Sequence, residues 1–188
     1  QHKATQSNLN TLESRGVPII EPDSGPLASG LDGKGRMAEP VSIADWLEHW
    51  FQSQAPLSGR KVVITAGPTH EPIDAVRFIG NRSSGKMGYA LAAELQSAGA
   101  DVHLISGPVQ LSAPQGVQVT HVQTAQEMHQ VASEAFKMAD IGVATAAVAD
   151  YRAKSQSEVK LHRDEMPPAI ELLENPDILA DWGKAKKK

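Results

Sequence analysis

The sequence predicts a protein of the α/β class with a mainly parallel sheet. Strand and helix patterns alternate after residue 60 and are joined by short connections. Hydrophobic residues make up 40% of the 188 residues but aromatic residues only 4%, which favours helices packed on buried strands over an aromatic-rich sandwich. Alternating strands and helices form right-handed crossovers that cover both faces of a parallel sheet. The expected architecture is therefore a Rossmann-like three-layer fold.

The composition excludes several classes of function. A net charge of −4 provides no basic surface for a nucleic-acid partner. The chain has no cysteine, which rules out a disulfide scaffold, a thiolate metal site and a cysteine nucleophile. The histidines lack metal-ligand spacing, so no protein-only metal site is predicted. No apolar run approaches the roughly 20 residues of a membrane-spanning helix, and we expect a cytoplasmic protein without a membrane partner.

Residues 1–57 differ in pattern from the rest of the chain and predict a separate segment that ends in a linker. Their local patterns predict, in chain order, a helix at 5–15, a strand-like run at 17–20, a Gly- and Pro-rich loop at 21–40 and a helix at 43–51. Gly16 is the expected stop of the first helix, and Ser42 is the expected cap of the second.

Residues 58–188 carry the alternating pattern of the predicted sheet. Gly99 is expected to end the first helix of this segment, and Thr124 with Glu127 forms a capping box for the second. The predicted strands lie at 61–66, 102–105, 117–122, 141–146 and 170–173, and the predicted helices at 85–98, at 124–139 and after 175–177.

Three loops leave the carboxyl ends of the predicted strands, at 67–84, 106–116 and 146–168. Ligands of parallel sheets bind beyond these ends, near the point where the strand order reverses. The first and third loops have the least ordinary composition. We therefore expect strands 61–66 and 141–146 to be neighbours or nearly so, because their end loops must share one ligand.

The run 80–87 nearly matches a phosphate-binding P-loop. It fails because Met87 replaces the hydroxyl residue that would hold magnesium, and because the run begins well after its strand has ended. A standard P-loop enzyme is therefore rejected. Ser83, Ser84 and Gly85 still offer N–H groups and hydroxyls at a helix N-terminus, where an anion could bind; the alternative is an ordinary helix start.

Five further residues carry two possible interpretations each. Arg77 could clamp a carboxylate or phosphate, and Asn81 could donate to a carbonyl or an oxyanion, but either could equally stabilise its loop. Asp150 could accept from a ribose hydroxyl or an exocyclic amine, or cap a helix. Lys160 and Arg163 could clamp phosphates or form a solvated charge pair.

Taken together, these motifs resemble one family, the ligase half of the bacterial bifunctional phosphopantothenoylcysteine decarboxylase/phosphopantothenate–cysteine ligase. The resemblance covers residues 61–180 and rests on the runs 64–74, 76–79, 83–88, 146–152 and 175–178, together with Asn81. The runs 26–30 and 33–40 are similar to the closing segment of the flavin-dependent decarboxylase half. The resemblance implies that residues 1–57 are the tail of a decarboxylase domain plus a linker, and that residues 58–188 are a ligase domain.

The resemblance implies a reaction in two steps. CTP activates the carboxylate of 4'-phosphopantothenate as an acyl-cytidylate, and the amine of cysteine then displaces CMP. Asn81 and Arg77 match intermediate-binding residues, and Lys160 matches a flap lysine that meets the phosphates, with Arg163 in place of a second lysine. Mg²⁺ is expected on the triphosphate. The residues that match nucleotide contacts are Ala144, Thr145, Ala146, Asp150, Asn175, Pro176, Asp177 and Ile178, and the anion-binding helix start adds Ser83, Ser84 and Gly85.

Three departures from the family pattern affect these expectations. Ala75 replaces a common proline, which should change only loop stiffness. Ser29 replaces a cysteine proton donor, so residues 1–57 should not decarboxylate, and FMN is expected only with a full-length decarboxylase half. The family continues beyond Lys188 with phosphate-binding lysines and a dimerising region. We therefore expect an incomplete ligase domain that binds CTP weakly, in preference to ATP, and a homodimer formed through the ligase domain.

Two other classes of function compete with the ligase. A dinucleotide-dependent oxidoreductase would need a Gly-x-Gly-x-x-Gly turn after the first strand, and the sequence lacks one. A non-catalytic nucleotide-binding or assembly module remains open.

Overall fold

The structure, a computed structural model, describes residues 2–26, 30, 32–162, 164 and 169–186. It divides into two compact units, residues 1–54 and residues 55–188. Within the described residues, no helix is long and apolar enough to cross a membrane.

The first unit contains two helices and an antiparallel strand pair. Nδ1 of His2 accepts from the Ala4 N–H and caps the first helix, which ends where Gly16 adopts a φ of 76°. The elements are α1 (Lys3–Ser14), β1 (Asp23–Pro26), β2 (Asp32–Arg36) and α2 (Pro40–Ser53).

Three predictions for this unit were wrong. Residues 17–20 form no strand and pair with no strand of the described chain, because a short apolar run forms a strand only where a partner lies beside it. The predicted loop 21–40 contains the β1–β2 pair. Helix α2 begins at Pro40 with Glu39 as its N-cap, so Ser42 lies inside the first turn; a proline at the first helical position already has the required φ.

The second unit is built on a four-stranded parallel sheet. Its elements in chain order are β3 (Lys61–Ala66), β4 (His70–Pro72), β5 (Phe78–Gly80), α3 (Lys86–Ser97), β6 (Asp101–Ser106), β7 (Gln118–His121), α4 (Ala125–Phe136), β8 (Ile141–Ala144), β9 (Tyr151–Ala153), β10 (Leu172–Glu174) and α5 (Ile178–Ala185). The sheet order is β7-β6-β3-β8, with every pair parallel. The predicted fold class is confirmed.

The strand order places the reversal of the chain between β3 and β8. From β3 the chain steps outward to β6 and β7, then returns to the other side of β3 to form β8. Val62 pairs with Ile141 and Thr65 with Ala144. The prediction that these two strands are neighbours is confirmed, and their carboxyl ends flank the switch point at which such folds bind ligands.

Alternate residues of β3 support the two faces of the sheet. Val62 and Ile64 join the core beneath α3, together with Ala92 and Leu104. Val63 joins the opposite core, in which Met128 and Trp182 of α4 and α5 are buried. A strand that is hydrophobic on both faces requires helices on both sides, which gives the three layers.

The helix ends follow the predicted local signals. Gly99 ends α3 with a φ of 94°. Oγ1 of Thr124 accepts from Glu127 N–H at 3.2 Å while Oε2 of Glu127 accepts from Thr124 N–H at 3.3 Å, completing the capping box. Oδ1 of Asp177 accepts from Ala180 N–H at 2.9 Å and caps α5. Helix α4 ends at Phe136 rather than at 139.

The loops at the carboxyl ends contain more strand structure than their composition indicates. The loop 67–84 holds an antiparallel hairpin of β4 and β5, in which His70 pairs with Gly80. In the third loop β9 pairs with β10, which is predicted at 170–173 and lies two residues later. These short ladders brace the walls of the site described next.

Candidate functional site

A cleft of about 540 Å³ lies at the carboxyl ends of β3 and β8. Seven of the predicted nucleotide-contacting residues line it, namely Ala144, Ala146, Asp150 and the run Asn175, Pro176, Asp177 and Ile178. Two separate segments of the chain, one after β8 and one before α5, therefore meet at this cleft. The residues predicted to act on phosphates and on the acyl group do not line it.

Thr145 faces away from the cleft. Its Oγ1 donates to the Thr65 carbonyl at 2.6 Å. A Cβ at Gly88 would lie 2.5 Å from the same oxygen, so Thr145 packs against the first turn of α3. Side chains alternate along an extended chain, and this alternation leaves only the flanking alanines in the cleft.

The wall of the cleft is an extended strip, residues 146–150, that continues β8 alongside β3. The Ala147 N–H donates to the Gly67 carbonyl at 2.8 Å, and the Thr69 N–H donates to the Ala147 carbonyl at 3.3 Å. The fully buried Thr69 also accepts from Ala149 N–H through Oγ1 at 2.9 Å. From the sequence, the run 67–69 could present backbone donors to a ligand but is better interpreted as a simple turn, so Thr69 is not among the predicted site residues.

Asn175 fixes the same strip from the other side. Its Nδ2 donates to the Ala149 carbonyl at 2.8 Å, and its N–H donates to the Asp150 carbonyl at 2.8 Å. Its Oδ1 accepts from Nη1 of Arg152 at 3.1 Å. Asn175 thus lines the cleft with its amide bonded to the protein on both sides.

Within the part of the chain that the structure describes, no residue donates a hydrogen bond to or accepts one from the peptide groups of Ala146 and Val148. Both residues line the cleft. Their N–H and C=O groups are therefore available to a ligand, while those of Ala147 hold the strip to β3.

Asn81 links the start of α3 to the strip. Its Nδ2 donates to the Ala147 carbonyl, and its Oδ1 accepts from Ser83 N–H at 2.9 Å. The Gly85 N–H donates to Oγ of Ser83 at 3.4 Å. Two N–H groups of the predicted anion-binding segment are thus bonded internally, whereas Ser84 is exposed and has no hydrogen bond to the described residues.

Arg77 is held within the protein. Its Nη2 lies 3.1 Å from Oδ2 of Asp74 and donates to the Leu161 carbonyl at 2.6 Å. Lys160 precedes Leu161 in the chain and is exposed. The predicted partner of Lys160, Arg163, lies outside the described residues.

Asp74 organises this region as a buried carboxylate. Oδ1 accepts from the N–H groups of Val76 at 2.8 Å and Arg77 at 2.7 Å, and Oδ2 accepts from Leu161 N–H at 3.2 Å. These bonds, the Val76 bond first, and the charge of Arg77 lower the pKa of Asp74, while burial opposes them. Asp74 is not among the site residues predicted from the sequence, although an Asp that bonds the N–H two residues later is a recognised turn signal.

No group of three or more His, Asp or Glu side chains that could hold a metal is present among the described residues. Asp150 and Asp177 both line the cleft. A magnesium ion is commonly held by one or two carboxylates together with substrate phosphates. The Asp150 carboxylate and Oδ2 of Asp177 could supply such ligands, whereas Oδ1 of Asp177 caps α5.

A parallel α/β domain whose cleft lies at the reversal of its strand order belongs to the class of Rossmann-like ligand-binding domains. The family model of the DNA/pantothenate metabolism flavoprotein C-terminal domain matches residues 57–188. The chain therefore belongs to this family, and the resemblance stated from the sequence is confirmed.

Similar proteins agree with this assignment. The chain is 47% identical over 182 residues to the coenzyme A biosynthesis bifunctional protein CoaBC of Haemophilus influenzae, covering 97% of this chain and 46% of that protein. It is 49% identical over 192 residues to a cysteine/cysteine sulfinic acid decarboxylase of an unknown prokaryotic organism, covering 100% of this chain and 54% of that protein. The chain spans about half the length of the curated relatives it matches.

A solved structure of the C-terminal domain of the coenzyme A biosynthesis bifunctional protein CoaBC shares the fold. It superposes with a TM-score of 0.63 at 42% sequence identity, covering 72% of this chain and 63% of that one. The shared fold at this identity agrees with the family assignment.

Proposed function

We propose that this chain carries the nucleotide-binding part of a CTP-dependent phosphopantothenate–cysteine ligase of coenzyme A biosynthesis. One observation carries the proposal: seven residues matched to nucleotide contacts by resemblance line a single cleft at the switch point, in a member of this family. Because the relatives are about twice as long, the activity is proposed for the longer protein to which these residues contribute.

The cleft suits a cytosine base. Its wall offers the small side chains of Ala144 and Ala146 and the unbonded peptide groups of Ala146 and Val148. A cytosine edge presents one amine donor and two acceptors, which peptide C=O and N–H groups complement. Asp150 is exposed at the end of the strip, where its carboxylate can accept from a ribose hydroxyl.

The phosphates are proposed to lie between the start of α3 and Lys160. Ser84 and the exposed Lys86 can bond anionic oxygens there, and Lys160 adds a positive charge from the other side. Bound Mg²⁺ would neutralise the triphosphate, held by its oxygens with Asp150 or Asp177 nearby.

The proposed chemistry needs no side-chain nucleophile. A carboxylate oxygen of phosphopantothenate bonds to the α-phosphorus of CTP as pyrophosphate leaves, and the cysteine amine then bonds to the acyl carbon as CMP leaves and the amine gives up a proton. One N–H of the Asn81 amide is bonded to Ala147. The other has no partner among the described residues and can donate to the acyl carbonyl, where charge develops.

Calorimetry with CTP, ATP and NADP in the presence of Mg²⁺ tests the nucleotide assignment. We expect binding with a preference for CTP. A preference for NADP would support a dinucleotide enzyme, and no nucleotide binding by the longer protein would support a non-catalytic assembly module.

Product analysis on the longer protein tests the reaction. CMP, pyrophosphate and the cysteine amide should form only when phosphopantothenate, cysteine and CTP are all present. Carbon dioxide release and flavin absorbance are to be measured on the longer protein and on residues 1–188 separately. We expect neither from residues 1–188, and carbon dioxide release by residues 1–188 would contradict the prediction. Light scattering would test the predicted homodimer.

A further inference from the structure

We propose that Asp74 is a positioning residue that fixes the segment 157–161, and with it Lys160, to the β4–β5 hairpin. The proposal deepens the proposed function, because it rests on Lys160 meeting the phosphates of the nucleotide.

Asp74 joins segments that are far apart in sequence. Its side chain is fully shielded from solvent. One carboxylate oxygen holds its own loop through Val76 and Arg77, while the other reaches Leu161 N–H. A buried carboxylate is tolerated only when charge-assisted hydrogen bonds satisfy it, and Leu161 supplies one of these bonds.

The peptide groups on either side of Leu161 are held at the same junction. The N–H of Leu161 donates to Asp74, and its carbonyl accepts from Nη2 of Arg77 at 2.6 Å. Arg77 in turn pairs with Asp74. A second tether lies at the start of the segment, where the Ser157 N–H donates to the Ile73 carbonyl at 3.1 Å. The backbone on the carboxyl side of Lys160 is therefore fixed, while its side chain is exposed.

The hairpin that Asp74 anchors also leads to Asn81. Asp74 lies in the turn between β4 and β5, and Asn81 directly follows β5. Fixing Lys160 to this hairpin sets its position relative to the amide proposed to meet the acyl group. A preorganised lysine loses less conformational entropy when it binds phosphate than one on a free loop.

The substitution Asp74→Asn tests this role. We expect the amides of Ser157 and Leu161 to exchange hydrogen about tenfold faster or more, because the charge-assisted bonds of the junction weaken. In the longer protein, CTP affinity should fall by about tenfold for the same reason. The effect should not add to that of Lys160→Ala, since both changes remove the same phosphate contact.

Asp140→Asn is the matched control. Oδ2 of Asp140 accepts from Lys61 N–H at 2.8 Å, and Oδ1 accepts from Nη1 of Arg60 at 3.3 Å. It is likewise an aspartate bonded to a backbone N–H and an arginine, but at the opposite end of the sheet. It should lower stability without changing exchange at 157–161 or CTP affinity.

A second variant tests the same role if Asp74→Asn does not fold. Leu161→Pro removes the N–H that donates to Asp74 and leaves the Asp74 side chain intact. It should speed hydrogen exchange at the Ser157 amide and lower CTP affinity, as Asp74→Asn does.

The outcomes separate the two proposals. The positioning role would be overturned if Asp74→Asn left hydrogen exchange of the amides at 157–161 unchanged. It would also be overturned if Asp74→Asn and Lys160→Ala lowered the free energy of CTP binding additively. Absence of CTP binding by the unsubstituted longer protein would instead overturn the proposed function, whatever the exchange data show.

Discussion

The two ends of the parallel sheet in the second unit are constructed differently. At the amino end, Asp140 bonds Lys61 through both its side chain and its N–H, and Asp101 N–H bonds the Arg60 carbonyl, so adjacent strands begin in direct contact. At the carboxyl end, Thr69 and Asn175 bond the backbone of a strip that lies beyond the sheet.

The difference shows how each end of the sheet uses its hydrogen bonds. At the amino end, the bonds join the starts of adjacent strands directly to one another. The carboxyl end uses polar residues from distant segments to hold a wall in place without filling the cleft beside it. Substituting polar residues at the amino end should therefore lower stability, and substituting those at the carboxyl end should weaken ligand binding.

Disrupting the close backbone packing at the carboxyl end of the sheet should have the largest effect on stability. A Cβ at Gly107 would lie 1.6 Å from the Pro68 carbonyl oxygen. We expect Gly107→Ala to lower the free energy of unfolding by about 3 kcal/mol or more, because two backbone segments must separate. Denaturant unfolding measures the loss.

Gly183→Ala in α5 is the control for Gly107→Ala. A Cβ there meets no atom within 4 Å. It should stabilise the protein by roughly 0.5–1 kcal/mol, since alanine favours a helix over glycine. Equal effects of the two substitutions would contradict the close packing of the carboxyl end.

Asn81→Asp should produce the largest effect on the reaction. A carboxylate cannot donate to the Ala147 carbonyl or to an acyl carbonyl, and it would repel the developing negative charge. We expect ligation by the longer protein to fall by on the order of a hundredfold or more, with CTP binding largely retained. Asn10→Asp in α1 should leave turnover unchanged, and near-normal turnover of Asn81→Asp would make Asn81 a loop residue only.

Ala146→Val should narrow the cleft. Adding two methyl groups to its wall should weaken CTP binding by about tenfold, the cost of overpacking a small site. Ala90→Val, on an exposed position of α3, is the matched control and should leave affinity unchanged. Titration calorimetry on both variants checks the result, and an unchanged affinity for Ala146→Val would place the base elsewhere.

The smallest effect should come from protonation or replacement of His103, in the amino half of β6, and it should appear in the pH dependence of stability. Burial lowers the pKa of His103, and the charge of Asp101 opposes this. The unfolded chain keeps a histidine pKa of about 6.5, so it binds a proton first as pH falls. Stability should therefore decrease from about pH 6.5 downward, through the lowered pKa of the folded state.

His103→Gln should flatten this decrease, as measured by denaturant midpoints between pH 7 and pH 5. The exposed His49→Gln is the control and should keep the slope. The lowered pKa values of Asp74, Asp140 and Asp181 act in the same direction but only in more acidic solution, below their ordinary value of about 3.9. An unchanged slope in His103→Gln would assign the acid sensitivity elsewhere.

The sequence by itself determined the strands of the parallel sheet and the positions of its helices, although α4 ends three residues earlier than predicted. The run 61–66 coincides with β3, the capping box of Thr124 lies where α4 begins, and α5 begins directly after the run 175–177, as predicted. These features are local, because a buried strand or a helix cap is encoded by residues within a few positions of one another. The motifs also placed seven cleft residues on two segments that the fold brings together.

Only the tertiary structure decided the short strand pairs and the partners of the polar side chains. The β1–β2, β4–β5 and β9–β10 pairs lack a strong local pattern, because a strand of three to five residues depends on the chain lying beside it. The guanidinium of Arg77 was equally consistent with a ligand clamp or a loop contact, and in the structure it bonds Asp74 and the Leu161 carbonyl. Leu161 lies 84 positions further along the chain, a distance over which sequence patterns carry no information about hydrogen-bond partners.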